Sequence, residues 1–230
     1  MKKVFITGIG SGLGKAFVKE FLKQSYRIFA VSRHLPEEFK GKISFSYGDL
    51  LSLENVYKAV DTVLKDVDSL DLVVLNAGLL TPLKDINETP IYEMNQMMDI
   101  NVWANKIILD YFIHNKIKVD QIVAISSGAS VNGNRGWHGY SISKAALNML
   151  IKLYSREMED THLIALAPGL IFTPMLEEFV LSADEKKFPS VKRIKQSPKM
   201  TPEEAAAKIV SMLPTLKKFE TGSYVDIRKI

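Results

Sequence analysis

The order of apolar and polar positions is the first structural signal in the chain. Short, nearly continuous apolar runs recur at Lys3 to Thr7, Arg27 to Ser32, Ile43 to Tyr47, Leu70 to Leu75, Gln121 to Ser126, Leu163 to Ala167 and Tyr224 to Ile227. Runs of this length, rich in Val, Ile and Phe, predict strands buried on both faces. The intervening segments carry the helical period instead: Phe17, Val18, Phe21 and Leu22, then Val56, Val60, Val63, Leu64 and Val67. Each set forms one apolar stripe on a helix. A long helix is predicted from Ile91 to His114 and another from Gly139 to Glu157. A last one begins at Thr201-Pro202-Glu203-Glu204, where an N-cap, a proline at the first helical position and a capping-box glutamate coincide.

Strands alternate with helices along the whole chain. The predicted fold class is therefore α/β, a single Rossmann-type doubly wound parallel sheet of about seven strands with helices on both faces. Only Leu170 to Lys199 carries no regular pattern. A connection this long is expected to be an ordered binding loop, so residues 170–200 are assigned to the substrate. No repeat, low-complexity tract or linker interrupts the chain, and residues 1–230 form one expected domain.

Composition narrows the possibilities. With 47% hydrophobic and 24% charged residues, the chain lies far from the disordered regime. It contains no cysteine, which excludes disulfides, thiolate metal sites and cysteine nucleophiles and favours a reducing, cytoplasmic setting. The apolar start Val4-Phe5-Ile6 ends at Thr7-Gly8, well short of a signal-peptide core. No window approaches the roughly 18 apolar residues of a membrane span. Net charge is only +4. The densest basic stretch, Lys186 to Lys199, is broken by prolines and accompanies no nucleic-acid reading module, so it is read as a solvated segment. Four histidines are too scattered to suggest a metal site, and no Gly-x-Ser-x-Gly elbow surrounds Ser127.

The first predicted strand runs into Thr7-Gly8-Ile9-Gly10-Ser11-Gly12-Leu13-Gly14. Glycines between a strand and a helix let the backbone approach a pyrophosphate, which then sits on the helix N-terminus. Gly-x-Gly-x-x-Gly fails at Leu13, and the P-loop fails because Ala16 follows Lys15. At the end of the second strand, where an acid would bond the ribose hydroxyl of NAD, the chain has Ser32-Arg33. A guanidinium there suits a 2′-phosphate, which predicts NADPH.

A Tyr-x-x-x-Lys pair, Tyr140 and Lys144, lies near the start of the helix at Gly139. One such pair is expected by chance in a chain of about this composition. Its company is what matters: Ser127 ends the fifth strand, and Asn101 sits on the preceding helix. Residues four apart share a helix face, so Lys144 can approach the phenol while Ser141 to Ser143 face elsewhere. A cation about 4 Å away is worth several kcal/mol, enough to lower the phenol's pKa by roughly three units.

In the Thr-Gly-x-x-x-Gly-x-Gly loop and the set Asn101, Ser127, Tyr140 and Lys144, the chain resembles the short-chain dehydrogenase/reductase family. Gly136-Trp137, Lys144-Ala145-Ala146, Asn148-Met149 and Gly222-Ser223-Tyr224-Val225-Asp226 are similar to its sepiapterin reductase and benzil reductase branch. The resemblance implies an NADPH-dependent reductase acting on a ketone or diketone of a small, partly aromatic substrate, with Tyr140 as general acid. It implies that Ser127 holds the carbonyl oxygen and Asn101 organises a water. Thr7, Gly8, Gly10, Ser11, Gly12, Leu13, Gly14, Ser32, Arg33, Asp49, Leu50, Asn76, Ala77, Gly78, Tyr140, Lys144, Pro168, Gly169, Ile171 and Thr173 would hold the cofactor. Ser127, Ser130, Trp137, Leu170 and Met175 would wall the substrate, and Asp226 would anchor a pterin-like ring. Leu75 stands where the family often has a second Asn. A homodimer or homotetramer through the helices near Asn101 and Tyr140 is also implied. Reduction of 3-oxoacyl thioesters and non-catalytic NADPH sensing are the alternatives.

Overall fold

A computed structural model describes the backbone of residues 1–230 and the side chains of all of these but 179–182. The strands are β1 (Lys3–Thr7), β2 (Arg27–Ser32), β3 (Ser44–Tyr47), β4 (Ser69–Leu75), β5 (Lys118–Ile125), β6 (His162–Ala167) and β7 (Ser223–Asp226). They form one sheet in the order β3-β2-β1-β4-β5-β6-β7, and every neighbouring pair is parallel. The helices are α1 (Gly12–Lys23), α2 (Leu53–Leu64), α3 (Ile91–Met98), α4 (Ala104–His114), α5 (Ala129–Asn132), α6 (His138–Glu157), α7 (Pro174–Ser182), α8 (Pro189–Gln196) and α9 (Pro202–Leu216).

Alternate residues of β1, β2, β4, β5 and β6 supply two cores, as the period of two requires. Val4 and Ile6 pack with α1 and α9, together with Leu72, Val74, Val123 and Ile164. Phe5, Phe29, Val73 and Ile122 face α2, α4 and α6. The capping box at Thr201 is present in full, with Glu204 reaching back to the Thr201 amide. No helix among the described residues is long and apolar enough to cross a membrane.

Two expectations are corrected. The helix predicted from Ile91 to His114 is divided by a π-helical turn at Asp99–Trp103, a local widening that frequently marks functional positions. The stretch from Leu170 to Lys199 is not irregular, because α7 and α8 lie within it. Pro189 opens α8 at its first turn, and Val191 and Ile194 are buried one helical turn apart. Together with Phe188 they form a third apolar cluster with Ala129 and Trp137, against which Tyr140, Leu80 and Leu170 pack.

Candidate active site

After β3 the chain returns to the far side of β1 and continues with β4. In an open parallel sheet this reversal opens a crevice beyond the carboxyl ends of the strands. A cleft of about 690 Å³ lies there, within the size range of cofactor and substrate sites.

The loop from β1 to α1 forms its floor. Gly8 and Gly12 have φ of 74° and 52°, a region that favours glycine. Ser11 is the N-cap of α1 but gives no side-chain cap, and no acid occupies the first turn. The opening amides of the helix, which line the cleft at Gly12 and Leu13, are therefore left to an anionic ligand. Neighbouring strands hold the loop in place. Ser32 Oγ accepts the Ile9 N–H at 3.2 Å, and Asn76 Nδ2 donates to the Thr7 and Gly8 carbonyls at 3.1 and 2.8 Å. Thr7 does not line the cleft; it is buried, and its Oγ1 accepts the Asn76 and Ala77 amides at 3.1 Å each. Gly8, Gly10, Ser11, Gly14, Asn76, Ala77 and Gly78 all line the cleft. Across from the loop, Pro168, Gly169, Ile171 and Thr173 form the opposing edge. A Cβ at Gly12 would lie 3.3 Å from Thr173 Cγ2, and Thr173 Oγ1 caps α7 by accepting the Leu176 amide at 3.3 Å.

Ser32, Arg33, Asp49 and Leu50 line the next part of the cleft. Arg33 is exposed, and among the described residues no carboxylate lies in ion-pair reach of it. Asp49 Oδ1 accepts the Leu51 N–H at 3.1 Å, which fixes the turn after β3. An uncapped helix end, glycines that bring backbone to the surface and a free guanidinium fit a phosphorylated dinucleotide.

At the far end Ser127, Tyr140 and Lys144 share the cleft. Burial pushes the Tyr140 pKa up, and the neighbouring Ser127 hydroxyl pulls the other way. This corrects the expectation of a phenol made acidic by its lysine. Lys144 Nζ donates to the Ile125 carbonyl at 2.7 Å and lies 5.8 Å from the Tyr140 ring centroid, so burial of the phenol wins. Burial also pushes the Lys144 ammonium down to about 8.

The Lys144 shift has a stability consequence. Below pH 8 the buried ammonium opposes folding in full; between pH 8 and 10.5 the unfolded chain binds the extra proton, so stability rises with pH. Lys144→Met is therefore expected to raise the urea midpoint most below pH 8. That gain should shrink by pH 10, and a gain independent of pH would contradict the assignment.

Asn101 is fully buried in the π-helical turn and stands behind the cleft rather than on its wall. Its Oδ1 accepts the Leu79 N–H at 2.7 Å, while Nδ2 donates to the Leu79 carbonyl and to Ser143 Oγ at 3.0 and 2.9 Å. Asn101 thus clamps the segment after β4 against α6. Ser143, expected to face elsewhere, is buried and also donates to the Tyr140 carbonyl at 2.9 Å.

Trp137, Leu170 and Met175 line the substrate end, and Trp137 packs on Tyr140 with ring centroids 5.8 Å apart. Ser130 is not on that wall; its hydroxyl donates to the Ser127 carbonyl at 2.6 Å. Asp226 is likewise withheld from a ligand, since Arg228 Nε and Nη2 hold its two oxygens at 2.9 and 2.6 Å. Around this end Asp85 bonds Arg135 at 2.7 and 2.6 Å and pairs with Lys187 at 3.3 Å, which holds its carboxyl at about 2. Three segments of the wall are stitched together there. Among the cleft-wall residues missed from the sequence are His34, Leu79, Leu80 and Leu176. Leu79 and Leu80 directly follow Asn76-Ala77-Gly78, so extending that motif would have found them; Leu176 carried no local signal.

Comparison with known proteins agrees with this geometry. The family model for short chain dehydrogenase matches residues 2–183. A Bacillus cereus benzil reductase, (S)-benzoin forming, is 30% identical over 99% of this chain and 99% of its own length. Its Bacillus subtilis (strain 168) counterpart is 28% identical over 100% and 99%. The solved structure of ElxO with NADP bound superposes with a TM-score of 0.78 at 30% identity, covering 98% of this chain and 96% of that one. A glycine loop on an uncapped helix, a tyrosine, serine and lysine sharing one cleft, and a match across most of the chain lead to one conclusion: this protein belongs to the short-chain dehydrogenase family, on the side of the benzil reductases.

Proposed function

We propose that the chain reduces a ketone or diketone carbonyl of a small, partly aromatic substrate to an alcohol, with NADPH as reductant. The observation that carries this reading is a half-buried phenol, pushed by desolvation to stay protonated at neutral pH, that shares one cleft with Ser127, Lys144 and the uncapped end of α1. When bound, the reduced nicotinamide supplies the hydride that adds to the carbonyl carbon. Ser127 and Tyr140 hold the carbonyl oxygen, and Tyr140 gives it a proton, a transfer that a weakly acidic phenol favours in the reducing direction. Lys144 keeps positive charge beside the phenolate that remains. The apolar wall of Trp137, Leu170 and Met175 suits an uncharged aromatic substrate. Exposed Trp103, Ile142, Met149 and Leu153 on and beside α4 and α6 support assembly into a homo-oligomer.

A panel of diketones, ketones and carrier-linked 3-oxoacyl thioesters, scored by NADPH absorbance, tests the reading. Turnover of aromatic diketones is expected. Turnover of the carrier-linked thioesters alone would replace it with the acyl reductase reading. Arg33 supports NADPH over NADH. Arg33→Ala is expected to raise the Kd of 2′,5′-ADP and the KM of NADPH by about 10- to 100-fold through loss of charge-assisted bonds. NADH kinetics should hardly move, and an equal loss for both cofactors would exclude a phosphate role.

A further inference from the structure

Three residues of α6, each four positions after the last, reach the end of β5 from one helix face. Tyr140 shares the cleft with Ser127, and Lys144 donates to the Ile125 carbonyl. Asn148 closes on the turn beyond them without lining the cleft. Its Oδ1 accepts from Ser126 Oγ at 2.6 Å, and its Nδ2 donates to Ser130 Oγ at 2.9 Å. Ser130 Oγ then donates to the Ser127 carbonyl at 2.6 Å, while Ser127 Oγ accepts the Ala129 N–H at 3.1 Å.

The directions of these bonds are determined. Ser130 spends its only proton on the Ser127 carbonyl, so its oxygen needs a donor; Ser126 donates, so it needs an acceptor. A carboxamide offers both on one rigid plane. One side chain thereby grips the residues before and after Ser127, and that grip holds the turn from which the Ser127 hydroxyl faces the phenol.

We infer that Asn148 is a positioning residue that sets the Ser127 hydroxyl against Tyr140 and so fixes the hydrogen-bond geometry at the reacting oxygen. The inference rests on the reductase reading above. It differs from a mere staple between α6 and β5, because it acts on turnover only through Ser127.

A double-mutant cycle decides between the two. The probe is the carbonyl compound that the unmodified chain reduces fastest with NADPH. Asn148→Leu is expected to lower kcat about 10- to 100-fold, the usual cost of misplacing a reacting group by an ångström. The NADPH Kd, read by fluorescence, should stay within about twofold. In a Ser127→Ala background the same change should cost less than about twofold more, since non-additivity marks residues that act together. Losses that multiply in the double variant, equal losses of turnover and NADPH affinity, or an unchanged kcat would each overturn the inference. If Asn148→Leu does not fold, Asn148→Asp keeps the shape and the bond from Ser126 but cannot donate to Ser130, and the same cycle applies.

A substrate-free measurement separates this inference from the reading beneath it. The ionisation of Tyr140 is followed as the ultraviolet difference from Tyr140→Phe. Because the Ser127 hydroxyl favours the tyrosinate, Asn148→Leu should move that titration to higher pH. An unmoved titration sinks the role of Asn148, whereas a chain that reduces no carbonyl at all sinks the proposed function instead.

Discussion

Tyr140→Phe is expected to lower kcat by about 10³-fold while leaving NADPH binding and thermal stability essentially intact. The substitution removes one oxygen, on a ring that shares the cleft with Ser127. General acid catalysis by a positioned group contributes roughly 10²- to 10⁴-fold, and no other side chain on the cleft can give a proton to the same oxygen at neutral pH without sacrificing its own role. Lys144, whose ammonium is held at about 8, is turned towards the Ile125 carbonyl. Stability should not suffer, because the phenylalanine ring keeps the contact with Trp137 and no longer buries a hydroxyl. Steady-state kinetics with NADPH and fluorescence titration of the cofactor are the measurements. Residual turnover within about tenfold of the parent would remove the general acid from the proposal. Unchanged cofactor response together with no turnover in the parent would point to an NADPH-sensing protein.

The second large effect is expected at Gly14, in the first turn of α1. Gly→Ala in a helix ordinarily stabilises by about 1 kcal/mol. Here a Cβ would stand 1.9 Å from the Gly8 carbonyl oxygen and 2.6 Å from Asn76 Nδ2. Both belong to backbone or to the bonds that hold the loop, so neither can yield cheaply. Gly14→Ala should therefore cost about 3 kcal/mol through overpacking, a fall in Tm of roughly 6–12 °C for a chain of this size. NADPH affinity should drop with it, because the Gly8 loop must move away from α1. Gly10→Ala is the control: its Cβ would come no nearer than 3.3 Å to any atom, the His34 Cβ, with the His34 ring and carbonyl oxygen at 3.8 Å, so a shift of a few tenths of an ångström accommodates it. Equal effects at the two positions would refute the argument. Scanning calorimetry and cofactor titration report both quantities.

Much of the molecule was legible because its signals are local. A run such as Val4-Phe5-Ile6 must be buried on both faces, and the structure packs Phe5 into one core and Val4 and Ile6 into the other. The start of β5 was less visible: Val119 stands alone between Lys118 and Asp120, so the strand begins three residues before its apolar run. The π-helical turn at Asp99–Trp103 left no mark on the apolar period, since a single widened turn shifts the stripe by less than the stripe's own width. Helix α8 did leave a mark, in Pro189 and the spacing of Phe188, Val191 and Ile194, but the surrounding charges masked it.

By itself the sequence determined the element order, the glycines that permit close approach at the first turn, and the spacing that puts Tyr140, Lys144 and Asn148 on one stripe. These follow from backbone torsion and helical period, which neighbours in the chain set. Only the tertiary structure decided that Asn101 clamps Leu79 from behind the cleft, that Ser130 serves the Ser127 turn rather than the substrate wall, and that Asp226 is spent on Arg228. It also reversed the expected direction of the Tyr140 pKa. Hydrogen-bond partners and desolvation depend on which distant segments the sheet order brings together, and a pattern read along the chain contains neither.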